Sequence, residues 1–321
     1  MNIKYIIIVL GEPYSIFSEI IGKYYRKKKY PKKKIILIGD VSLLIKQLNK
    51  LDLSLPLNII EDIKYAKFNI LNIINIKFNF KKIFKKIDSK SNKYIENSFL
   101  KALKIIKENK NECLLVNGPI SKKSFLKKNY LGITEYLAQK TKSSNQVMLI
   151  YNSNISVSPL TTHIPLKSVN KSISKIKIIN NIKKINNFYL EILRTKAKFA
   201  VLGLNPHCET IDSFSEEDKI ILPAIKYLKK YGFSVDGPFS ADTFFQKKNI
   251  DKYNVVLGMY HDQVLVPIKT LYNFNAINLT IGLPFVRISP DHGPNEAMIG
   301  KNISDMSSFS YAMKFIDKIK K

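Results

Sequence analysis

Arginine is scarce. Arg26, Arg194 and Arg287 are the only three among 53 basic residues; the other fifty are lysine. Cysteine occurs twice, at Cys113 and Cys208, which excludes a disulfide framework and points to a reducing compartment, hence a cytoplasmic location. No apolar run reaches the ~20 residues that span a bilayer, so no membrane association is expected. Met1 to Leu10 carries one lysine, lacks a small-residue cleavage pattern and runs straight into Glu12 and Pro13. It is expected to be a first strand rather than a signal peptide. G-x-G-x-x-G is missing after that strand, and G-x-x-x-x-G-K-[ST] and G-x-S-x-G are missing altogether. A standard Rossmann dinucleotide site and a P-loop are therefore unsupported. His207 and Cys208 do not make a thiol nucleophile pair, because adjacent residues seldom face each other as base and nucleophile must.

What is present begins with material for cores. The chain has 321 residues, 45% of them hydrophobic, which suits two α/β domains or one large one. The net charge is +28, with lysine clusters at 27–29, 32–34 and 81–86 and an accompanying excess of isoleucine and asparagine. That combination is what an AT-rich coding sequence gives by drift. A nucleic-acid binder usually carries arginine for bidentate contacts, so the lysines are assigned to a solvated surface with loose, salt-sensitive attraction to polyanions. Against such drift, a surviving arginine or histidine stands out.

Apolar periodicity predicts strands at 3–10, 34–38, 113–116, 146–151, 198–204, 254–259 and 276–280. Helices are predicted over 15–28, 41–50, 94–110, 171–194, from Ser215 to about 230, and over 304–320. The 94–110 helix sets Ile95, Phe99, Leu103 and Ile106 near one face. Residues 64–90 are too Lys/Ile/Asn-biased to assign. The alternation implies a mostly parallel sheet with helices on both faces.

The four histidines, His163, His207, His261 and His292, all lie in the second half, in polar turn-like segments. Strand ends of a parallel sheet share one rim, so His163, His207 and His261 could meet there. Three imidazoles with an open position suit zinc, cobalt or manganese. His292, in Ser-Pro-Asp-His-Gly, is better placed as a loop or cofactor contact than as a ligand. Three Gly-Pro or Gly-Leu-Pro segments complete the constellation: 116–122, the turn 237–243 with Asp242, and the turn-rich loop 282–293 with Arg287. A dianionic phosphate would suit Arg287 together with Lys269.

These segments resemble one family, the 4-hydroxythreonine-4-phosphate dehydrogenases of vitamin B6 synthesis. The matching blocks are T-T-H-I-P-L at 161–166, G-L-N-P-H at 203–207, G-P-F-S-A-D-T at 237–243, M-Y-H-D-Q at 259–263 and G-L-P-F-V-R-I-S-P-D-H-G at 282–293. The resemblance implies an isocitrate/isopropylmalate dehydrogenase-like fold: two α/β/α domains around a cleft, 1–125 plus 282–321 and 126–281. It implies a homodimer with a shared active site. It also implies oxidation of 4-phosphooxy-L-threonine by NAD or NADP, then decarboxylation to 3-amino-2-oxopropyl phosphate. His163, His207 and His261 would hold one divalent metal (Zn, Co, Mg or Mn). Thr134, Lys269, Asn278 and Arg287 would touch substrate. Gly282, Leu283, Pro284, Asp291, His292 and Gly293 would lie along the cofactor. Asp242, Asp262 and Lys269 are the candidate catalytic groups; either aspartate could move a proton or hold a ligand histidine. Rival readings are a paralogue acting on threonate or erythronate 4-phosphate, and a phosphate acyltransferase of the same fold. The chain departs from the family at 11–19, where two glycines of the opening turn are lost, at Ile133, where a substrate-contacting histidine is usual, and at 208–215, where a glycine-rich segment is replaced.

Overall fold

A computed structural model describes residues 2–27, 30–126, 130, 132–210, 214–273, 275–290 and 292–319. The chain forms two compact units, 1–144 with 283–321, and 145–282. The segment 126–144 sits in the first unit rather than the second, because Leu126, Tyr136, Leu137 and Ala138 are buried in the first unit's apolar core.

In the first unit, β1 (Tyr5–Val9), β2 (Lys34–Gly39), β3 (Leu57–Ile59), β4 (Leu71–Asn75), β5 (Cys113–Asn117) and β12 (Val286–Pro290) run in the order β3-β4-β2-β1-β5-β12. Every pairing within it is parallel. Strands covered on both faces read as unbroken apolar runs, and Ile6 to Val9 and Ile36 to Ile38 are fully buried. The helix Val41–Lys50 begins at Asp40, whose Oδ1 accepts the Leu43 N–H at 2.7 Å. The other carboxylate oxygen accepts the Phe78 N–H at 2.8 Å, so one side chain caps a helix and anchors a distant segment. On the helix Asn92–Glu108 the buried stripe is Ile95, Phe99, Ala102 and Ile106, with Leu103 only half-buried at its margin.

Three strands of this unit, β3, β4 and β12, lay hidden in the sequence. β4 arises from the biased 64–90 stretch, and its Asn72 is fully buried, with Nδ2 donating to the carbonyls of Ile35 and Lys67, each at 2.9 Å. β12 lies inside 282–293, so that segment is a short turn leading into a buried strand and not one long loop.

The second unit orders β11 (Ile277–Ile281), β6 (Val147–Tyr151), β7 (Ser156–Thr161), β10 (Val255–Tyr260), β8 (Phe199–Leu202) and β9 (Val235–Phe239) as β11-β6-β7-β10-β8-β9. β6 is antiparallel to both neighbours; β7, β10, β8 and β9 are parallel. The 237–243 segment is strand through Phe239 and turns only at Ser240, ahead of the short helix Ala241–Phe244. Among the described residues, no helix is long and apolar enough to cross a membrane.

The altered opening turn is tightly built. Gly11 has φ +74°, and a Cβ there would sit 2.4 Å from the Pro119 carbonyl oxygen, so glycine is required. Tyr14 is buried edge-on to Phe78, with centroids 5.7 Å apart. Glu12, 1% exposed, accepts the Tyr14 N–H at 3.3 Å and the Ser91 hydroxyl at 3.0 Å. Burial, with a smaller push from Asp88 and Glu296, raises its carboxyl from 4.5 to about 7. The folded protein therefore keeps a proton that the unfolded chain loses at lower pH. The stabilisation is complete below about 4.5 and is lost as pH rises through about 7. Glu12→Gln preserves shape and hydrogen bonds. It should leave denaturation unchanged near pH 4.5 and stabilise the protein by about 1–3 kcal/mol at pH 8. A wild-type-minus-variant difference that stays flat across that range refutes the assignment.

Candidate active site

Three adjacent parallel strands of the second unit each run into a histidine segment: β7 into His163, β10 into His261 and β8 into His207. Side chains staple these ends together. Thr161 Oγ1 donates to the Met259 carbonyl at 2.7 Å, tying β7 to β10. Gln263, 8% exposed, accepts the Met259 N–H at 2.7 Å and donates to the Gly203 carbonyl at 2.8 Å, tying β10 to the chain leaving β8.

His261 is the first residue of the helix His261–Tyr272, and its Nδ1 lies 2.7 Å from Asp262 Oδ1. Its ring centroid is 5.8 Å from that of His163. His207 sits in the Pro206–Cys208 turn with φ +55°, its Nδ1 3.7 Å from Asp242 Oδ2. Asp242 accepts a hydrogen bond from Ser240, which with His207 nearby holds its carboxyl below the usual range. The structure thus pairs two of the three histidines and sets the third beside an aspartate. Among the described residues, no three His, Cys, Asp or Glu side chains already stand as a metal-binding group. Burial, with Glu217 nearby, pushes the Cys208 thiol up, which disfavours a thiolate.

Lys269 lies on the exposed side of the same helix as His261, and Asn278 is half-buried in β11 opposite Ile150. Gly282 has φ +94° at the end of the second unit.

In the first unit, Arg287 is not on an exposed loop. It is 2% exposed within β12. Its Nε donates to Asn117 Oδ1 at 2.8 Å and its Nη1 to Thr134 Oγ1 at 2.9 Å. Burial lowers the guanidinium to about 10, opposed by the Glu135 carboxylate, and leaves it charged at neutral pH. Thr134 and Glu135 stand in the first turn of the helix Ile133–Lys140. Glu135 Oε2 is shielded from solvent with no hydrogen-bond partner among the described residues. Ile133 is half-buried and packs on the first unit's apolar core.

Of the expected cofactor contacts, Leu283 is buried in that core, so its side chain is not at a surface. Pro284 and Gly293 are exposed. The His292 ring tilts against Phe17, with centroids 5.8 Å apart. Asp291 lies outside the described residues. Sequence reasoning missed Asn117, Glu135, Thr161, Gln263 and Glu217. The one signal was position: each lies in or beside a motif block, or in the first turn of an expected helix.

Residues 31–316 match the family described as "Pyridoxal phosphate biosynthetic protein PdxA". The chain is 37% identical to a 4-hydroxythreonine-4-phosphate dehydrogenase of Sulfurihydrogenibium sp., over 98% of both chains. It is 30% identical to a Clostridium botulinum protein provisionally named D-threonate 4-phosphate dehydrogenase, over 98% of this chain and 97% of the other. A crystal structure of 4-hydroxythreonine-4-phosphate dehydrogenase from Klebsiella pneumoniae superposes with a TM-score of 0.83 at 25% identity, covering 97% of this chain and 98% of that one. A likeness of fold alone, TM-score 0.51 at 11% identity, extends to a β-decarboxylating dehydrogenase from Thermococcus kodakarensis, over 98% of this chain and 84% of that one. With the family match covering most of its length, the chain belongs to the PdxA family of oxidoreductases.

Proposed function

We propose that the chain oxidises 4-phosphooxy-L-threonine with NAD or NADP and releases carbon dioxide to give 3-amino-2-oxopropyl phosphate. The observation that carries this reading is the set of three histidines leaving adjacent parallel strands, in a chain 37% identical throughout to a dehydrogenase named for that substrate.

The donor set suits a divalent ion. His163 and His261 already stand side by side, and His207, 73% exposed, has room to turn toward them. When bound, such an ion supplies positive charge beside the alcohol and carboxylate that react. The aspartates orient histidines in this reading. An ionised Asp262 accepts the Nδ1 proton of His261 and leaves Nε2 as the ligand atom; Asp242 stands beside His207 in the same sense. Lys269 and Asn278 are assigned to substrate. Arg287 and Thr134 are assigned to the substrate's anionic end, with Asn117 holding the guanidinium plane. Gly282, Pro284, Asp291, His292 and Gly293 are assigned to the nicotinamide cofactor, Leu283 through its backbone alone. The enzyme is proposed to be a cytoplasmic homodimer.

A second reading, oxidation of D-threonate 4-phosphate, is favoured by Ile133. This position packs on apolar core and offers substrate no hydrogen bond.

NADH formation is to be followed with both phosphorylated acids, before and after chelation and on re-addition of zinc, cobalt or manganese. The reading requires 4-phosphooxy-L-threonine to give the higher kcat/KM and chelation to abolish it; a preference for threonate 4-phosphate establishes the second reading. Elemental analysis of His163→Ala, His207→Ala and His261→Ala should show lost metal, and full occupancy in all three removes the ligand assignment.

Arg287→Lys keeps charge but not the fork. KM for the phosphorylated substrate should rise roughly tenfold or more, equivalent to ~1.4 kcal/mol. Because the guanidinium is buried and bonded to Asn117 and Thr134, urea denaturation should also show a loss of about 2–4 kcal/mol. Arg26→Lys, at an exposed guanidinium that donates to the Asp52 carbonyl, should be near neutral in both. Identical behaviour of the two variants discards Arg287 as an anion clamp.

A further inference from the structure

We propose that Glu217 is a positioning residue for His207. Its carboxylate builds and holds the turn that carries the imidazole. Glu217 is 2% exposed. Its Oε1 accepts the backbone N–H groups of Leu204 at 2.7 Å and Asn205 at 2.9 Å. Its Oε2 accepts from Asn205 Nδ2 at 2.9 Å and from Ser215 Oγ at 3.2 Å. Four donors thus converge on one buried carboxylate, and three of them belong to the segment leaving β8 immediately before Pro206 and His207.

The turn needs that support. His207 and Cys208 are consecutive non-glycine residues in the left-handed region, with φ +55° and +61°. Two such residues in succession are strained, and such strain persists where the surroundings over-determine it. Packing beneath the turn is equally tight. A Cβ on Gly203 would meet Cys208 Sγ at 2.6 Å and Glu217 Oε1 at 3.1 Å. Gln263 fixes the carbonyl of Gly203 from the other side, at 2.8 Å. Glu217 and Gln263 therefore clamp Gly203 to Asn205 from both sides, and the direction of His207 follows. The neighbouring acids do not share the task. Among the described residues Glu216 reaches Asn205 Nδ2 alone, at 2.9 Å, and Asp218 is exposed. Partners of this kind that orient a ligand typically alter metal affinity 10–100-fold when lost.

The proposal rests on His163, His207 and His261 binding a divalent metal, and the test separates the two claims. Metal-free full-length protein is titrated with Co2+, reading ligand-field absorption and Kd, for the wild type and for Glu217→Ala, Glu217→Gln, Asp218→Ala and His207→Ala. Amide hydrogen exchange at Leu204 and Asn205 is measured on the same samples, and folding is checked by thermal melting. Glu217→Ala should bind Co2+ at least tenfold more weakly and exchange faster at both amides. Glu217→Gln keeps one carbonyl oxygen for the amides and should be intermediate. Asp218→Ala should stay within twofold of wild type. A folded Glu217→Ala with wild-type Co2+ affinity overturns the proposal; if that variant does not fold, wild-type affinity and exchange in Glu217→Gln overturn it. If wild type and His207→Ala bind Co2+ equally, or neither binds, the metal reading falls instead. Exchange then decides Glu217 alone: faster exchange in Glu217→Ala sustains its hold on the turn, and unchanged exchange removes it.

Discussion

Parallel pairing of β7, β10 and β8 is the constraint on which the candidate site depends. A parallel ladder sends every strand's carboxyl end to the same rim, so three segments distant in sequence are delivered side by side. The last peptide groups of each strand then need partners beyond the ladder, because unpaired backbone polar groups are costly when buried. Thr161 and Gln263 supply them. The same few side chains therefore finish the sheet and fix the spacing of the histidine segments. The candidate site at this rim is inseparable from how the strands end.

Much of the fold was legible because many of its strands are largely apolar. β1, β2, β5, β8 and β10 lie where short, mainly apolar runs predict them. The helix Val41–Lys50 was legible to the residue, since Asp40 is a strong capping type. Three of the five strands that escaped carry polar residues inward. β4 has Asn72, β7 has Ser156 and Ser158, and β12 has Arg287, all buried and all hydrogen-bonded. A periodicity argument takes such residues for surface. The candidate site divides in the same way. Four histidines and three arginines are conspicuous by rarity. Their supports, Asn117, Glu217 and Gln263, are common residue types that only burial sets apart.

Lysine and arginine are used differently in the interior. Lys33 is 9% exposed, and its ammonium donates to the carbonyls of Ile316 and Ile319 at 3.0 and 3.2 Å, ending the helix Ser307–Lys318. A compact, rotatable ammonium suits several carbonyl oxygens at a helix terminus. Arg287 instead joins two side chains through two nitrogens of a rigid planar fork, a geometry an ammonium does not have. Compositional pressure toward lysine is thus tolerated at the first position and resisted at the second.

The interrupted first unit has a consequence for biosynthesis. β12 pairs with β5, and Arg287 meets Asn117 across 170 residues of chain. The whole of 145–282 is translated between them. At roughly 5–20 residues per second, the free flank of β5 waits for on the order of ten seconds on the ribosome. An unpaired strand flank is a template for mispairing. The second unit, continuous in sequence, has every strand available before the first unit has its last. Chain connectivity therefore makes the β5–β12 seam the last to close, and the buried guanidinium enters its place only at that closing.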